Sequence, residues 1–332
     1  MTAQAPEREP TWRERHRGAT RDAYRRTLLE LAREDPRIMC LDSDMGGLED
    51  TFQSHLPAQY VNLGIAEANM MTVAAGLASA GRIPFVNTMA SFATMRAGEQ
   101  LKLDVAGNDL PVKVVVTHAG AAAGHFGPTH FAMEDVAMVR ALPNMTVICP
   151  ADVVETVHAV RAAATLPGPV YVRLGRSETD LVYEEPYDFR VGRAVTLREG
   201  GDVTIAVSGA YPALMALEAH AALAAAGVHA RVVNLHTIKP IDRDALVAAA
   251  SETGGIVTVE DHCTTGGLGG AVAEVVSEEC PCRVIRVGMP DRVVDRIGSQ
   301  RELLELGGVS PARIRAAALV LCGRGSGASA VS

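Results

Sequence analysis

The chain has 332 residues, 48% of them apolar and only 4% aromatic, enough for two α/β domains of ordinary size, each with its own core. Its formal charge of −8 is spread over interspersed acidic and basic residues, which excludes the basic footprint of a nucleic-acid binder. No apolar run is long enough to span a bilayer, and the charged opening, Met1 to Gly18, lacks the apolar stretch of a secretory signal, so a cytoplasmic protein is expected.

From about residue 20, short apolar runs alternate with amphipathic segments. The expected strands are Ile38–Leu41, Ile83–Val86, Val112–Thr117, Thr146–Cys149 and Val170–Leu174. Helical patterns fall between them at Arg21–Arg33, Ala66–Ala80, Phe92–Ala106 and Val153–Ala164, with Ser91 and Asp152 as capping residues for the last two. Continuously apolar strands separated by helices mean a parallel sheet covered on both faces. Glu184-Glu185-Pro186-Tyr187 breaks the pattern. A second series follows: strands Val203–Val207, Ala230–Asn234, Ile256–Val259 and Arg283–Val287, with helices Pro212–Ala226, Asp242–Ala250 and Gly269–Glu278. The fold class is therefore α/β, with two doubly wound domains. The boundaries read 1–19 as an N-terminal extension, 20–185 as the first domain, 186–200 as a linker, 201–322 as the second domain and 323–332 as a disordered Gly/Ser/Ala tail. The six cysteines are scattered, mostly in or beside apolar runs, as expected of buried thiols in a reducing cytosol. Cys280-Pro-Cys282 near His262-Cys263 fits no common zinc spacing, so no metal ligands are assigned.

The segment from Asn62 to Met71 places one carboxylate, Glu67, at the opening of an otherwise apolar helix. Two readings stand: an acidic residue favoured by the helix dipole, or a carboxyl group with a raised pKa that shares a proton with a ligand nitrogen. Phe92, with Arg96 and Gln100 on the next turns, is either ordinary packing or a stacking platform for a flat ring. His118 leaves a strand end, and His125 and His130 follow in a Gly-rich loop. Loops at the carboxyl ends of parallel strands are where ligands bind. Arg173 and Arg176 close a strand, either as a fork for a phosphate or as a solvated pair. Thr264 to Gly270 matches neither dinucleotide-binding nor Walker loops, so close packing and a tight turn explain its glycines better.

Taken together, Gly64-Ile65-Ala66-Glu67, the Phe92/Arg96/Gln100 segment, Gly127-Pro128-Thr129-His130, the stretch from Pro143 to Asp152, and Val259-Glu260-Asp261-His262 resemble the transketolase superfamily. The resemblance runs from about Thr20 to Leu321 and implies a pyrimidine-binding domain followed by a transketolase C-terminal domain, the latter mainly for dimerisation. It implies thiamine diphosphate as cofactor, contacted by Ile65, Glu67, Phe92 and Arg96. Glu67 matches the glutamate that bonds N1′ of the aminopyrimidine and favours the 4′-imino tautomer that generates the ylid; Phe92 matches the residue stacked on that ring. His130, a catalytic residue with Glu67, matches the histidine at the sugar hydroxyls, and Arg176 the arginine near the substrate phosphate. His118, His125, Phe126 and Arg173 complete the expected substrate-binding set.

The resemblance is also incomplete. The chain has no Gly-Asp-Gly and no Asn-Asn doublet, so Mg²⁺, which needs oxygen ligands at the diphosphate, is expected from a partner: an N-terminal transketolase subunit in an α₂β₂ assembly. Family members usually carry Glu-Asp before Gly-Pro-Thr-His and Gln after it, where this chain has His125-Phe126 and Phe131. The usual Asp accepts a hydrogen bond from a hydroxyl beside the reacting carbonyl, and Phe cannot. The expected reaction is transfer of a two-carbon ketol unit from a sugar phosphate to an aldehyde lacking the α-hydroxyl, such as a specialised or carrier-bound one. The ketose donor also has a hydroxyl near this place, which leaves His125 as a substitute contact. The competing readings are the β subunit of a 2-oxo acid dehydrogenase, a deoxyxylulose-phosphate-synthase-like enzyme, and a non-catalytic structural subunit.

Overall fold

The computed structural model describes residues 18–183, 185 and 187–324. Most of the expected N-terminal extension and tail, and Glu184 and Pro186 of the expected break, lie outside the described residues.

Ahead of the first helix, β1 (Gly18–Ala19) pairs antiparallel with β8 (Glu178–Thr179), a two-stranded clasp that holds the start of the first domain to its end. The first sheet proper is built from β2 (Ile38–Asp42), β3 (Tyr60–Asn62), β4 (Ile83–Met89), β5 (Lys113–Thr117), β6 (Thr146–Ile148) and β7 (Val170–Arg173). These are joined by β12 (Thr237–Lys239) from the C-terminal half. The strand order is β12-β6-β7-β5-β4-β2-β3, parallel except at β12. Successive residues on a strand point to opposite faces, and here both faces are apolar. Ile38, Cys40, Phe85 and Val115 pack under α1 (Thr20–Glu34) and α4 (Val153–Thr165), against Tyr24, Leu28, Ala159 and Val160. Their neighbours Met39, Leu41, Val86, Val114 and Val116 pack on the other face, with Met70, Met71 and Ala74 of α2 (Glu67–Ser79) and Val136 and Val139 of α3 (Asp135–Ala141). That alternation is what the continuous apolar runs encode.

The second sheet has the order β14-β13-β10-β11-β9. It comprises β9 (Val195–Arg198), β10 (Val203–Val207), β11 (Ala230–Asn234), β13 (Ile256–Cys263) and β14 (Val284–Met289), with β9 antiparallel at the edge. One face is covered by α5 (Ala210–Ala224) and α9 (Pro311–Leu321) through Ala216, Ala219, Ile314 and Ala317, with Leu304 of α8 (Gln300–Leu306) in the same cluster. On the other, Ala206, Val233 and Ile256 join Leu246 of α6 (Arg243–Glu252) and Leu268 and Val272 of α7 (Leu268–Glu279) in the core that also holds α2. The two halves therefore share one apolar interior. Among the described residues, no helix is long and apolar enough to cross a membrane.

Asp152 caps α4 as expected, its side chain accepting from the Glu155 backbone N–H at 2.9 Å. Ser91 does not cap. Its own dihedrals are already right-handed helical (φ −60°, ψ −35°), whereas a capping residue needs extended backbone to turn its oxygen onto the first turn. The expected helix over 92–106 is present but wide-wound, with π-type turns at Phe92–Arg96 and Leu101–Ala106 around a single α turn, Gly98–Gln100.

Candidate active site

The carboxyl ends of β3, β4, β5 and β7 deliver the candidate residues. After β3, Gly64 adopts φ +68°, a conformation open to glycine, and the chain reverses into α2 with Glu67 as its first residue. Glu67 is 2% exposed, and its Oε2 accepts a hydrogen bond from Arg96 Nη1 at 2.7 Å. Ile65, at the same turn, is 74% exposed. After β4, Phe92 and Arg96 share one side of the first π turn, with the Arg96 guanidinium carbon 4.0 Å from the Phe92 ring centroid.

Rings continue from Phe92. The His130 ring meets it edge-on at 5.2 Å, Phe126 stacks on His130 at 5.0 Å, and His125 lies 4.1 Å from Phe126. His118 stands 6.1 Å from Phe126. Five residues singled out from sequence thus form one connected group with Arg96 and Glu67. The loop carrying His125, Phe126 and His130 is pinned by paired backbone bonds between Gly120 and Ala132 (3.1 and 3.0 Å). It is also pressed against the C-terminal half. A Cβ at Gly120 (φ +58°) would fall 2.6 Å from the Asp261 backbone oxygen, and one at Gly124 (φ +38°) 2.5 Å from that of Gly298.

His118 follows β5 in the left-handed region at φ +59°, which is uncommon for a residue with a side chain and tends to mark functional sites. Its Nδ1 lies 2.8 Å from the Thr117 hydroxyl. Burial, then Arg176, Arg21, His125 and Arg25, push its pKa down to about 4, so the imidazole is neutral at pH 7. Arg176 thus lies in the same neighbourhood as Arg21 and Arg25 of α1, both of which pair with Asp22, at 2.9 and 3.7 Å. The sequence reading misses the two α1 arginines. Their i, i+4 spacing on one helix face is the available signal.

Arg173 departs from its expected role. It is 5% exposed; its Nε donates to Asp135 Oδ2 at 2.8 Å, Nη1 to Asp261 Oδ1, and Nη2 to the Ala132 carbonyl at 3.3 Å. With its guanidinium held by two carboxylates, it bridges the halves of the chain and is not placed to grip a substrate phosphate. Among the described residues, no group of three or more His, Cys, Asp or Glu side chains is placed to hold a metal ion.

A buried acid and an aromatic ring, both in contact with Arg96, thus lie at the carboxyl edge of a parallel α/β sheet. Residues 17–180 match the pyrimidine-binding domain of transketolase and residues 192–314 the transketolase C-terminal domain; the chain belongs to the transketolase family. More narrowly, it is the C-terminal subunit of a split transketolase. It is 42% identical over 273 residues to the 6-deoxy-6-sulfo-D-fructose transketolase subunit SqwH of Clostridium sp. (strain MSTE9), covering 82% of this chain and 84% of that protein. It is 41% identical over 280 residues to a subunit of the apulose-4-phosphate transketolase of Phocaeicola vulgatus, covering 83% and 89%. A solved split-gene transketolase, an inactive β4 tetramer, superimposes with a TM-score of 0.84 at 44% identity, over 93% of this chain and 99% of that one.

Proposed function

We propose that this chain supplies the aminopyrimidine side of a thiamine diphosphate site, while a partner subunit bearing Gly-Asp-Gly supplies the diphosphate and Mg²⁺ side in an α₂β₂ assembly. The observation that carries the reading is Glu67, a carboxylate 2% exposed, held with Arg96 beside the Phe92 ring. An acid for a ring nitrogen and an aromatic face for a flat ring are the donor set an aminopyrimidine needs, so the residues fit the cofactor. The pyrimidine-binding match supports the same cofactor. Two relatives named as transketolase subunits, and a related β4 tetramer that is inactive, support the need for a partner.

When bound, the cofactor supplies the chemistry of two-carbon transfer. The chain's residues hold and orient. Glu67 would keep a proton at the ring nitrogen, and Phe92 the ring plane. His130 and His125 face the hydroxyls of a ketose donor. Arg176, with Arg21 and Arg25, takes the anionic end of a substrate; the two relatives are named for a sulfonated and a phosphorylated sugar. Phe126, 44% exposed between two imidazoles, offers carbon where an α-hydroxyl would need an acceptor. Leaving such a hydroxyl unpaired costs about 1–3 kcal/mol, so the proposed acceptor is an aldehyde without it.

The test is thiamine diphosphate and Mg²⁺ binding by this chain alone and by the chain co-purified with its Gly-Asp-Gly partner, followed by ketol transfer. Binding and transfer by the pair only, with Glu67→Gln lowering transfer by roughly 10²–10⁴, is the expected result. Tight Mg²⁺-dependent binding by the lone chain, or full activity in Glu67→Gln, would overturn the shared site or the catalytic role respectively.

A further inference from the structure

Arg96 makes two contacts at once: Nη1 donates to Glu67 Oε2 at 2.7 Å, and its guanidinium carbon lies 4.0 Å from the Phe92 ring centroid. A guanidinium is planar, donates hydrogen bonds in its plane and stacks on aromatic faces. Those are the two interactions that the proposed reading reserves for the aminopyrimidine, with the same two side chains. We propose that Arg96 is a latch: it stands in for the cofactor ring on Glu67 and Phe92, and must swing out for thiamine diphosphate to enter. The inference rests on the reading of Glu67 and Phe92 as the pyrimidine contacts.

The structure provides the means for release. The Arg96 side chain is 44% exposed while Glu67 is 2% exposed, so the guanidinium can return to water with little loss of packing while the carboxylate stays in place. Phe92 and Arg96 lie on a π turn closed by the Ala97 N–H on the Phe92 carbonyl at 3.0 Å, a widened helical geometry that recurs at functional sites. The latch also keeps the buried carboxylate paired, which avoids the cost of an uncompensated buried charge. Its effect on binding is arithmetic: when only a fraction of molecules have Arg96 swung out, the apparent affinity for the cofactor falls to that fraction of its intrinsic value.

The experiment titrates thiamine diphosphate, with Mg²⁺, into the co-purified pair by calorimetry and follows association by stopped flow. Wild type, Arg96→Met and Arg96→Lys are compared, with assembly checked by size exclusion. A docked population of nine in ten predicts that Arg96→Met binds roughly tenfold tighter, about 1.4 kcal/mol, through faster association. Arg96→Lys, which retains the charge but loses the planar stack, falls between. Unchanged or weaker binding in Arg96→Met would overturn the latch and make Arg96 a support for the cofactor. If Arg96→Met does not assemble, Arg96→Lys decides: faster association supports the latch and an unchanged or slower rate rejects it. A wild-type pair that binds no thiamine diphosphate would instead overturn the reading beneath it, and the latch with it.

Discussion

Replacing Arg173 by Met separates its two candidate roles. The substitution approximately keeps the aliphatic stem and removes a guanidinium that bonds Asp135, Asp261 and the Ala132 carbonyl. Asp135, wholly buried, keeps only the Tyr171 hydroxyl at 2.9 Å, and Asp261 keeps the Gln300 amide at 3.2 Å. Among the described residues, Asp135 Oδ1 has no hydrogen-bond partner even in the intact network. Breaking a buried pair from one side costs about 3–5 kcal/mol. At about 1.4 °C per kcal/mol for a chain of this size, the melting temperature should fall by roughly 4–7 °C. Thermal unfolding by circular dichroism gives the shift, and transfer kinetics with the partner give KM for an anionic donor. Arg173→Lys should lose less stability, since it keeps the charge but not the fork. A variant that melts within about one degree of wild type while KM for the anionic donor rises would refute the structural role and return Arg173 to the substrate.

Two further outcomes are expected. Burial pushes the His236 pKa down from 6.5 to about 4, so between those pH values the folded chain binds fewer protons at this site than the unfolded one, and stability falls as pH drops through that window. The contribution is about 3 kcal/mol; His236→Gln removes it, so the stability gap between wild type and variant, read from urea unfolding at pH 7 and pH 4, should move by about that amount against wild type in acid. Phe126→Asp should shift acceptor preference toward α-hydroxy aldehydes by roughly tenfold or more in kcat/KM, measured on paired acceptors with and without the hydroxyl; equal use of both by wild type would show that Phe126 does not select.

The sheets can be read from the sequence because their strands are buried on both faces, and an uninterrupted apolar run has few other uses. Elements with weak patterns escape it. β3 is a half-exposed edge of three residues, Tyr60–Asn62, and β12 is a three-residue piece that leaves its own half to pair antiparallel with β6. No periodicity marks either. The site region is recognisable through the order of its motifs: Gly64-Ile65-Ala66-Glu67, the Phe92/Arg96/Gln100 segment and Gly127-Pro128-Thr129-His130 are each weak alone, and their succession along one chain is what points to the family. Arg173 misleads because its partner Asp261 lies 88 residues further on, and a strand-end arginine looks alike from sequence whether it faces solvent or a buried carboxylate. Arg21 and Arg25 read as part of an amphipathic helix surface, which is what their local pattern suggests until His118 is placed beside them.

The resemblance assigns the second domain mainly to dimerisation, but it also packs against the loop that carries the ring cluster. Gly120 and Gly124, which flank the start of the loop that carries His125, Phe126 and His130, lie too close to Asp261 and Gly298 for any side chain. Arg173 ties β7 and Asp135 to Asp261, and the wholly buried Glu155 on α4 accepts from Asn234 of β11 on both oxygens, at 3.1 and 3.0 Å. With a common apolar interior behind these contacts, a shift of the C-terminal half by an ångström would carry the loop with it. Misplacement of reacting groups on that scale costs about 10²-fold in rate. The spacing between the Phe92 ring and the rings of His125, Phe126 and His130 is therefore set by both halves of this chain.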